Sequence, residues 1–433
     1  MARGGASTIS RAMVLRMSSE GVETTRNQSI RALLHNPNYL CIWTMGGLTG
    51  FIRWFQLLAL GVYTFEVTRS PFLVSLVPVL WGLPLTFCGP IVGGIADRVN
   101  RKILLAGTIS SIFVVACVMA ALAYSGELTF THIAIASLLS GLFWATDMPL
   151  RRRLLGDAAG EHLSAAMSLD SATNSATRMF GPLMGGIMLQ VVGITGVYVL
   201  SAVVYATALL LILAVNLPEF VKRTVSPSLI RDLAAGVRFA LSNWELRRVL
   251  AVTMVFNIFG FPFTAMIPIL GREQLGLQPF LVGFLSSLEG FGAFVGAMVV
   301  AMVAKPEYYA RIFIAGSLLY MAMILYLSAL AYVSGGPYHS FLAAALTLSI
   351  IGIAGAGFAA MQSTLTYLNS GQEYRSRVLG VLALCIGTGP LGFLNVGWMA
   401  ENYGLPAAMS MMALEGLFVM LVLWVYGVLN RSD

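Results

Sequence analysis

Six ionisable residues interrupt otherwise apolar stretches of this sequence: Arg53, Asp147, Asp170, Arg178, Glu289 and Glu415. A charge in hydrocarbon costs kilocalories unless it is paired or wetted, so each marks a place where the fold must deal with it. The chemistry open to them is narrow. A guanidinium keeps its charge and grips an acidic group through two parallel hydrogen bonds. Arg178 is therefore a candidate for contact with an anionic solute or for a gate, with a structural ion pair as the plainer role. Arg53 divides between contacting a solute and pairing with an acid across a cavity. A carboxylate carries a proton near neutral pH only where burial raises its proton affinity. Glu289 leads that group because Gly290 and Gly292 let a neighbouring backbone crowd its helix; simple lining of a cavity is its other role. Asp147 and Asp170 follow, and Glu415 is weaker. Asp170 and Arg178 lie about 12 Å apart along a helix and about 80° around it, so they need not pair with each other.

Other chemistries find little support. Cys41, Cys88, Cys117 and Cys385 lack metal or redox spacing and read as small buried hydrophobes. His35, His132, His162 and His339 have no metal spacing, and no Gly-x-x-x-x-Gly-Lys-Ser/Thr run binds nucleotide phosphates. No cofactor and no metal are expected. Trp54, Gln56, Trp144, Asn174, Asn257, Phe261, Gln362, Tyr367 and Asn395 together suggest an amphipathic, partly aromatic cavity.

Long helices must position these residues. The 433 residues are 58% apolar and 10% charged, against about 45–50% and about 25% for soluble domains. This excludes an ordinary soluble enzyme, a disordered chain and, despite a net charge of +7, a nucleic-acid binder. Twelve stretches are long and apolar enough to cross a bilayer as helices: 39–65, 72–96, 102–124, 130–153, 164–190, 194–216, 247–270, 279–303, 308–333, 339–368, 376–400 and 406–429. Nearly all of the 26 Lys and Arg then fall on one side, among them Arg98, Arg101 and Lys102, then Arg151, Arg152 and Arg153, then Arg247 and Arg248. Only Arg69 and Arg272 fall on the other. That asymmetry places both chain ends in the cytoplasm. Residues 1–36 read as a cytosolic tail without the apolar core of a cleavable leader, and Met17 is an alternative start. Residues 37–217 and 247–429 read as two six-helix bundles. They are joined by a cytosolic linker, 218–246, whose segment 230–241 is an amphipathic interfacial helix, and 430–433 form a cytosolic end.

The bundles echo each other. Gly181-Pro182 recurs as Gly389-Pro390, Asp97 corresponds to Lys305, and Ile103-Leu104-Leu105-Ala106-Gly107 recurs as Ile312-Phe313-Ile314-Ala315-Gly316, at nearly one offset. Internal repeats with a site at mid-depth between them are a mark of secondary transporters. Gly46/Gly50, Gly89/Gly93 and Gly292/Gly296 have the spacing of close helix packing.

The run Gly93-Gly94-Ile95-Ala96-Asp97-Arg98-Val99-Asn100-Arg101-Lys102 is a tight basic turn in which Asn100 tolerates left-handed backbone. It closely resembles the loop 2–3 signature of the major facilitator superfamily, Gly-x-x-x-Asp-Arg-x-Gly-Arg-Lys, with Asn100 in place of the second glycine. Pro149-Leu150-Arg151, Leu163, Asn174, Arg178 and Gly181-Pro182-Leu183-Met184-Gly185-Gly186 resemble the branch containing the enterobactin exporter and macrolide-efflux-like proteins, the transmembrane secretion effectors. So do Asp232 to Leu250 and Arg375-Ser376-Arg377-Val378. The likeness covers about residues 30–429.

The resemblance implies an all-α integral membrane fold of twelve helices in two six-helix pseudo-repeats. It implies a gating motif of Gly93, Asp97, Arg98, Arg101 and Lys102, with Asp97 docking near Arg375 to Val378 at the start of helix 11. Gly181, Pro182, Gly185 and Gly186 partly match an antiporter motif, from which Thr177 departs where a glycine is usual; close packing explains them equally well. The familiar drug-antiporter arginine of helix 4 is missing between Ile133 and Asp147. The expectation is a monomeric inner-membrane exporter of small amphipathic molecules, siderophore- or drug-like. Protons are its coupling ion, the lipid bilayer its setting, and it has no nucleic-acid partner. An importer or facilitator of a small metabolite is the alternative. A membrane enzyme or scramblase would want clustered intramembrane His or Asp, and a channel would want repeated pore loops; neither stands in the sequence.

Overall fold

The computed structural model describes residues 29–96, 100–216, 229–330 and 337–426, and these are almost wholly helical. In chain order the main helices are α1 (Pro37–Thr68), α2 (Pro71–Ala96), α3 (Arg101–Tyr124), α4 (Phe130–Ala159), α5 (Leu163–Ala214), α6 (Leu229–Ser242), α7 (Trp244–Phe259), α8 (Pro279–Val303), α9 (Tyr309–Leu330), α10 (Pro337–Asn369), α11 (Arg375–Ile386), α12 (Gly389–Tyr403) and α13 (Leu405–Val425). Nine described stretches are long and apolar enough to cross a membrane. One of them, Phe130–Ala214, holds three of the expected spans, and Pro71–Phe87 adds a shorter apolar helix. The helix order is consistent with twelve spans.

Local chemistry sets the ends of these helices. Asn36 caps α1: its Oδ1 accepts from the backbone N of Asn38 at 3.0 Å and of Tyr39 at 3.2 Å, with Pro37 in the first turn. Asn100 caps α3 in the same way, accepting from Lys102 N at 2.9 Å. Its φ is −58°, so Asn100 serves as a cap and does not use the left-handed backbone it can tolerate.

α5 covers two expected spans that turn back on each other at Gly193, where φ is +72°. Trp43 Nε1 donates to Thr173 Oγ1 at 3.0 Å on one arm of α5. Gln56 Nε2 donates to Ser201 Oγ at 2.9 Å and Asn38 Nδ2 to Asn216 O at 2.7 Å on the other. Both arms therefore run alongside α1, in opposite directions. The end of the bundle near Ser70, Gly193 and Gly404 is called the top here, and the end near Asn36, Asn100 and Arg375 the base.

Two further spans are broken. α7 ends at Gly260, and a 3-10 segment, Phe261–Met266, follows because Pro262 has no N–H to continue the ladder. α11 ends at Gly387, and α12 begins afresh with Pro390 in its first turn. The two breaks face each other: the Phe261 and Phe393 rings meet edge to face at 6.0 Å. The repeated Gly-Pro thus has two outcomes, since Pro182 lies inside the first arm of α5 without ending it.

Two large apolar cores form, one in each half, with Val282 of α8 reaching into the first and Phe65, Val74 and Val79 into the second. Glycines set several close approaches. A Cβ at Gly185 would stand 2.5 Å from the Phe55 carbonyl oxygen, and one at Gly292 would strike the Ser349 carbonyl of α10. Gly292→Ala is expected to lower stability by about 1–3 kcal/mol through this overlap, read as a lower Tm in detergent. Gly107→Ala, which meets nothing within 4 Å, should leave Tm unchanged or raise it.

The linker helix expected at 230–241 is present as α6, with Arg231 and Arg238 exposed and Gly236 and Ala240 buried. It packs on α11, where Phe239 stacks on Tyr374 with ring centroids 4.5 Å apart. Cys385 is buried, but Cys117 is exposed on the outer surface of α3, which corrects the expectation that it is a buried hydrophobe.

Candidate functional site

The intramembrane charges sort into three groups at mid-depth and below. The first is a cluster within the first half. Arg151 donates from Nε to Asp147 Oδ2 at 3.3 Å and from Nη1 to Asp170 Oδ1, and Arg152 Nε stands 3.5 Å from Asp170 Oδ2. Asp147, Arg151 and Asp170 side chains are 0%, 6% and 8% exposed. α4 supplies Asp147 and Arg151 one turn apart, and α5 supplies Asp170. Gly46 of α1 makes the room, since a Cβ there would collide with the Arg151 guanidinium. Gly46 therefore accommodates a side chain and not a helix backbone.

The second group joins the halves. Arg178 on α5 grips Glu289 on α8 through both carboxylate oxygens, Nη2 to Oε1 at 2.5 Å and Nε to Oε2 at 3.2 Å. This is the bidentate geometry for which arginine is suited. Gly290 lets α8 approach so closely that a Cβ would stand 2.8 Å from the Arg178 carbonyl oxygen. About two turns higher, a Cβ at Gly186 would meet Gly283 Cα at 3.1 Å. Of the helix-5 motif, Gly181 and Gly185 face α1 and Gly186 faces α8, so its glycines serve packing within the half and across the seam.

Other contacts between the halves lie above this pair. Arg272 Nη2 stands 2.8 Å from Glu66 Oε1. Glu401 Oε2 accepts from Ser70 Oγ at 2.7 Å and Phe72 N at 3.1 Å, and Gln190 Oε1 accepts from Phe280 N at 3.0 Å. On the opposite flank Thr86 Oγ1 donates to the Gly387 carbonyl at 3.2 Å.

The third group is Arg53 alone. Its guanidinium carbon stands 4.5 Å from the Trp54 ring centre, 4.9 Å from Trp81 and 4.5 Å from Trp144. It borders a small pocket within the first half, lined also by Gln56, Ser137, Ser140 and Tyr205. Trp54 lies between the two arginines, with Arg178 5.4 Å from its ring centre.

A helical bundle with paired charges at mid-depth, a seam between two halves and a lined cavity is the anatomy of a membrane transporter. The family model of transmembrane secretion effectors matches residues 29–431. The chain belongs to this family. Among relatives of this transmembrane secretion effector, the staphyloferrin A transporter of Staphylococcus aureus is 24% identical over 79% of this chain and 84% of its own. Macrolide efflux protein A of Streptococcus pyogenes is 20% identical over 80% and 85%. The multidrug efflux pump Tap of Mycobacterium tuberculosis is 25% identical over 77% and 80%. The nucleoside transporter NupG shares the fold with a TM-score of 0.69 at 14% identity, covering 91% of this chain and 100% of that one. A bacterial homologue of the lysosomal transporter Spinster gives 0.69 at 16%, covering 91% and 96%. The fold is that of the major facilitator superfamily, and the protein is a membrane-embedded transporter.

Within this secretion effector, the expected site residues fall as follows. Arg178 and Glu289 come together; Asp147 and Asp170 come together through Arg151; Arg53 joins neither group. Glu415 accepts from Asn395 Nδ2 at 3.0 Å, inside the second half. Of the gating motif, Arg101 pairs with Asp157 at 2.9 Å, and Lys102 Nζ donates to the Leu213 and Val215 carbonyls at 2.8 and 2.6 Å. Both tie the base of the first half together. Gly93 lies in α2, while Asp97 and Arg98, and with them the expected docking on α11, lie outside the described residues. Gln56 and Trp144 line the cavity. Gln362 instead donates to Thr253 Oγ1 at 3.0 Å, and Tyr367 accepts from Arg375 at 2.9 Å.

Two groups were missed. Arg151 was counted with the basic loop after a helix ending at 153; it lies inside α4, which runs to Ala159, and it is buried. No arginine stands between Ile133 and Asp147, as expected, but Arg151 lies one turn beyond Asp147 on the same helix. The Asp147–Arg151 spacing of one helical turn was the available signal. Trp81, Ser137 and Tyr205 had none, because only the packing of α2, α4 and α5 brings them to Arg53.

Proposed function

We propose that this chain is a proton-coupled exporter of small amphipathic molecules, moving them by rocking its two halves, residues 37–217 and 247–429, about the seam between α5 and α8 and between α2 and α12. The base faces the cytoplasm of a bacterium whose inner membrane holds the protein, with both chain ends inside and segment 218–246 as the linker. The observation that carries this reading is the Arg178–Glu289 pair, which bridges the halves at mid-depth beneath a seam held at the top by Glu66–Arg272 and Glu401. A proton on Glu289 removes the charge that holds Arg178 and frees one half from the other. In this arrangement the top is closed, and the solute path opens toward the cytoplasm. The names of the relatives, a siderophore transporter and two drug efflux proteins, support export of siderophore- or drug-like solutes. The Asp147–Arg151–Asp170 cluster is a rigid brace of the first half, and Arg101 and Lys102 brace its base.

The test uses inside-out vesicles with a preformed proton gradient read by a pH-sensitive dye, challenged with siderophores, macrolides and cationic dyes. A compound that dissipates the gradient with wild type, and fails to with Glu289→Gln, is the expected result. A hit that Glu289→Gln transports equally well removes Glu289 as proton carrier. Solute-independent behaviour across the panel, with uptake in right-side-out vesicles, would instead mark an importer or facilitator.

A further inference from the structure

We propose that Arg53 is the anion-recognition point of the solute site, so that the transported molecule carries a carboxylate on an apolar or aromatic body. This inference names the substrate class of the function proposed above and rests on it.

Arg53 is a charge without a counter-ion among the described residues. Arg178 is matched by Glu289, and Arg151 by Asp147 and Asp170, but no ion pair or hydrogen bond reaches Arg53. Its Nε is buried with no acceptor. Guanidinium offers five donors and no acceptor, so a buried donor left unused is costly. The Trp54, Trp81 and Trp144 rings surround it, with centres 4.5–4.9 Å from its guanidinium carbon, and indole rings offer it no hydrogen-bond acceptor.

The surroundings show the same deficit. Trp54 Nε1, Ser137 Oγ and Tyr198 OH are also buried without partners. Arg53 and Ser137 line the small pocket of the first half, and Tyr198 lines an adjoining one that shares Gln56, Ser140 and Tyr205 with it. Arginine and indole are donors only, and hydroxyls can donate. A cavity with surplus donors and one uncancelled positive charge suits an acceptor-rich anion. The tryptophan walls suit an apolar or flat body attached to it. A cationic solute would meet Arg53 directly.

The experiment is calorimetric titration of the full chain in neutral phosphatidylcholine nanodiscs, without any gradient. The probes are 4-tert-butylbenzoate, the matched neutral benzamide and the matched cationic benzamidine. Wild type should bind the benzoate at least about tenfold more tightly than the amide, as expected for a charge-assisted hydrogen bond in a desolvated site. Arg53→Gln should reduce that preference to within about twofold while leaving amide binding in place, which also reports an intact cavity. Should Arg53→Gln not fold, Arg53→Lys keeps the charge and loses the fork, and should weaken benzoate several-fold with the amide unchanged. Equal binding of benzoate and amide to wild type overturns the proposal, as does a preference that survives Arg53→Gln. Nanodiscs with phosphatidylglycerol and added inorganic phosphate separate the sources of the anion. Loss of benzoate binding in phosphatidylglycerol assigns Arg53 to a lipid headgroup, and displacement by phosphate at equal affinity assigns it to any small anion; either sinks the carboxylate class. Because no gradient is present, a failed benzoate preference leaves proton-coupled export standing, and a failed coupling assay leaves the benzoate result standing.

Discussion

Arg151→Ala is expected to cause the largest loss of stability of any single substitution in this protein. It leaves Asp147 and Asp170, almost wholly buried, facing each other without the guanidinium that both contact. Removing one partner of a buried ion pair costs about 3–5 kcal/mol, because the remaining charge is desolvated and uncompensated. Here Asp147 loses its ion-pair partner and Asp170 keeps only the half-exposed Arg152, and a membrane domain stable by about 5–15 kcal/mol loses much of its margin. The expected result is a Tm fall of many degrees in detergent, with little monodisperse protein recovered. Asp147→Asn with Asp170→Asn in the Arg151→Met background removes all three charges while keeping shape, and should recover most of the Tm. Replacing a buried ionic cluster by neutral groups of like volume is often close to neutral. An Arg151→Ala protein as stable as wild type would mean that water reaches the cluster and the brace is not a brace.

The second large effect is on conformation. Arg178→Gln and Glu289→Gln each dissolve the contact that joins α5 to α8 at mid-depth. Arg178 is 27% exposed, so the stability cost is smaller than at Arg151, about 1–3 kcal/mol. The larger consequence is that the closed top loses one of its ties. With spin labels at the base ends of α4 and α10, both variants are expected to move the distance distribution away from that of wild type. The double variant Arg178→Gln/Glu289→Gln should match either single one, since the pair can be lost only once. The exchange Arg178→Glu/Glu289→Arg should restore the wild-type distribution. Additive shifts in the double variant would show that the two residues act separately and would remove the pair as a latch.

Much of the fold was legible in the sequence for one physical reason. Hydrocarbon forbids unsatisfied backbone, so any stretch of about 20 apolar residues must be a helix, and the runs near α1, α3, α8 and α13 could be placed within a few residues. The amphipathic spacing of Arg231 and Arg238 gave α6, and the basic motif beginning at Gly93 gave the superfamily. The same rule made Arg53, Asp147, Asp170, Arg178 and Glu289 conspicuous, since charges are rare where they are costly.

What each charge meets was decided only by tertiary structure. Arg151 looked like another basic residue at a helix end, because burial of a charge depends on partners supplied by other elements: Asp170 from α5 and the space over Gly46 from α1. The breaks after Phe259 and Ile386 follow from Gly260-Phe261-Pro262 and Gly387-Thr388-Gly389-Pro390, whose freed backbone groups a facing helix must tolerate, while Pro182 is absorbed within the first arm of α5. Arg178 found Glu289 from the opposite half, and Arg53 found three indole rings and no ion pair among the described residues. Sequence set which residues lie at membrane depth, because the solvent there punishes any other choice. Packing set which of them are neutralised, because an ion pair is a property of two surfaces brought together and not of either helix alone.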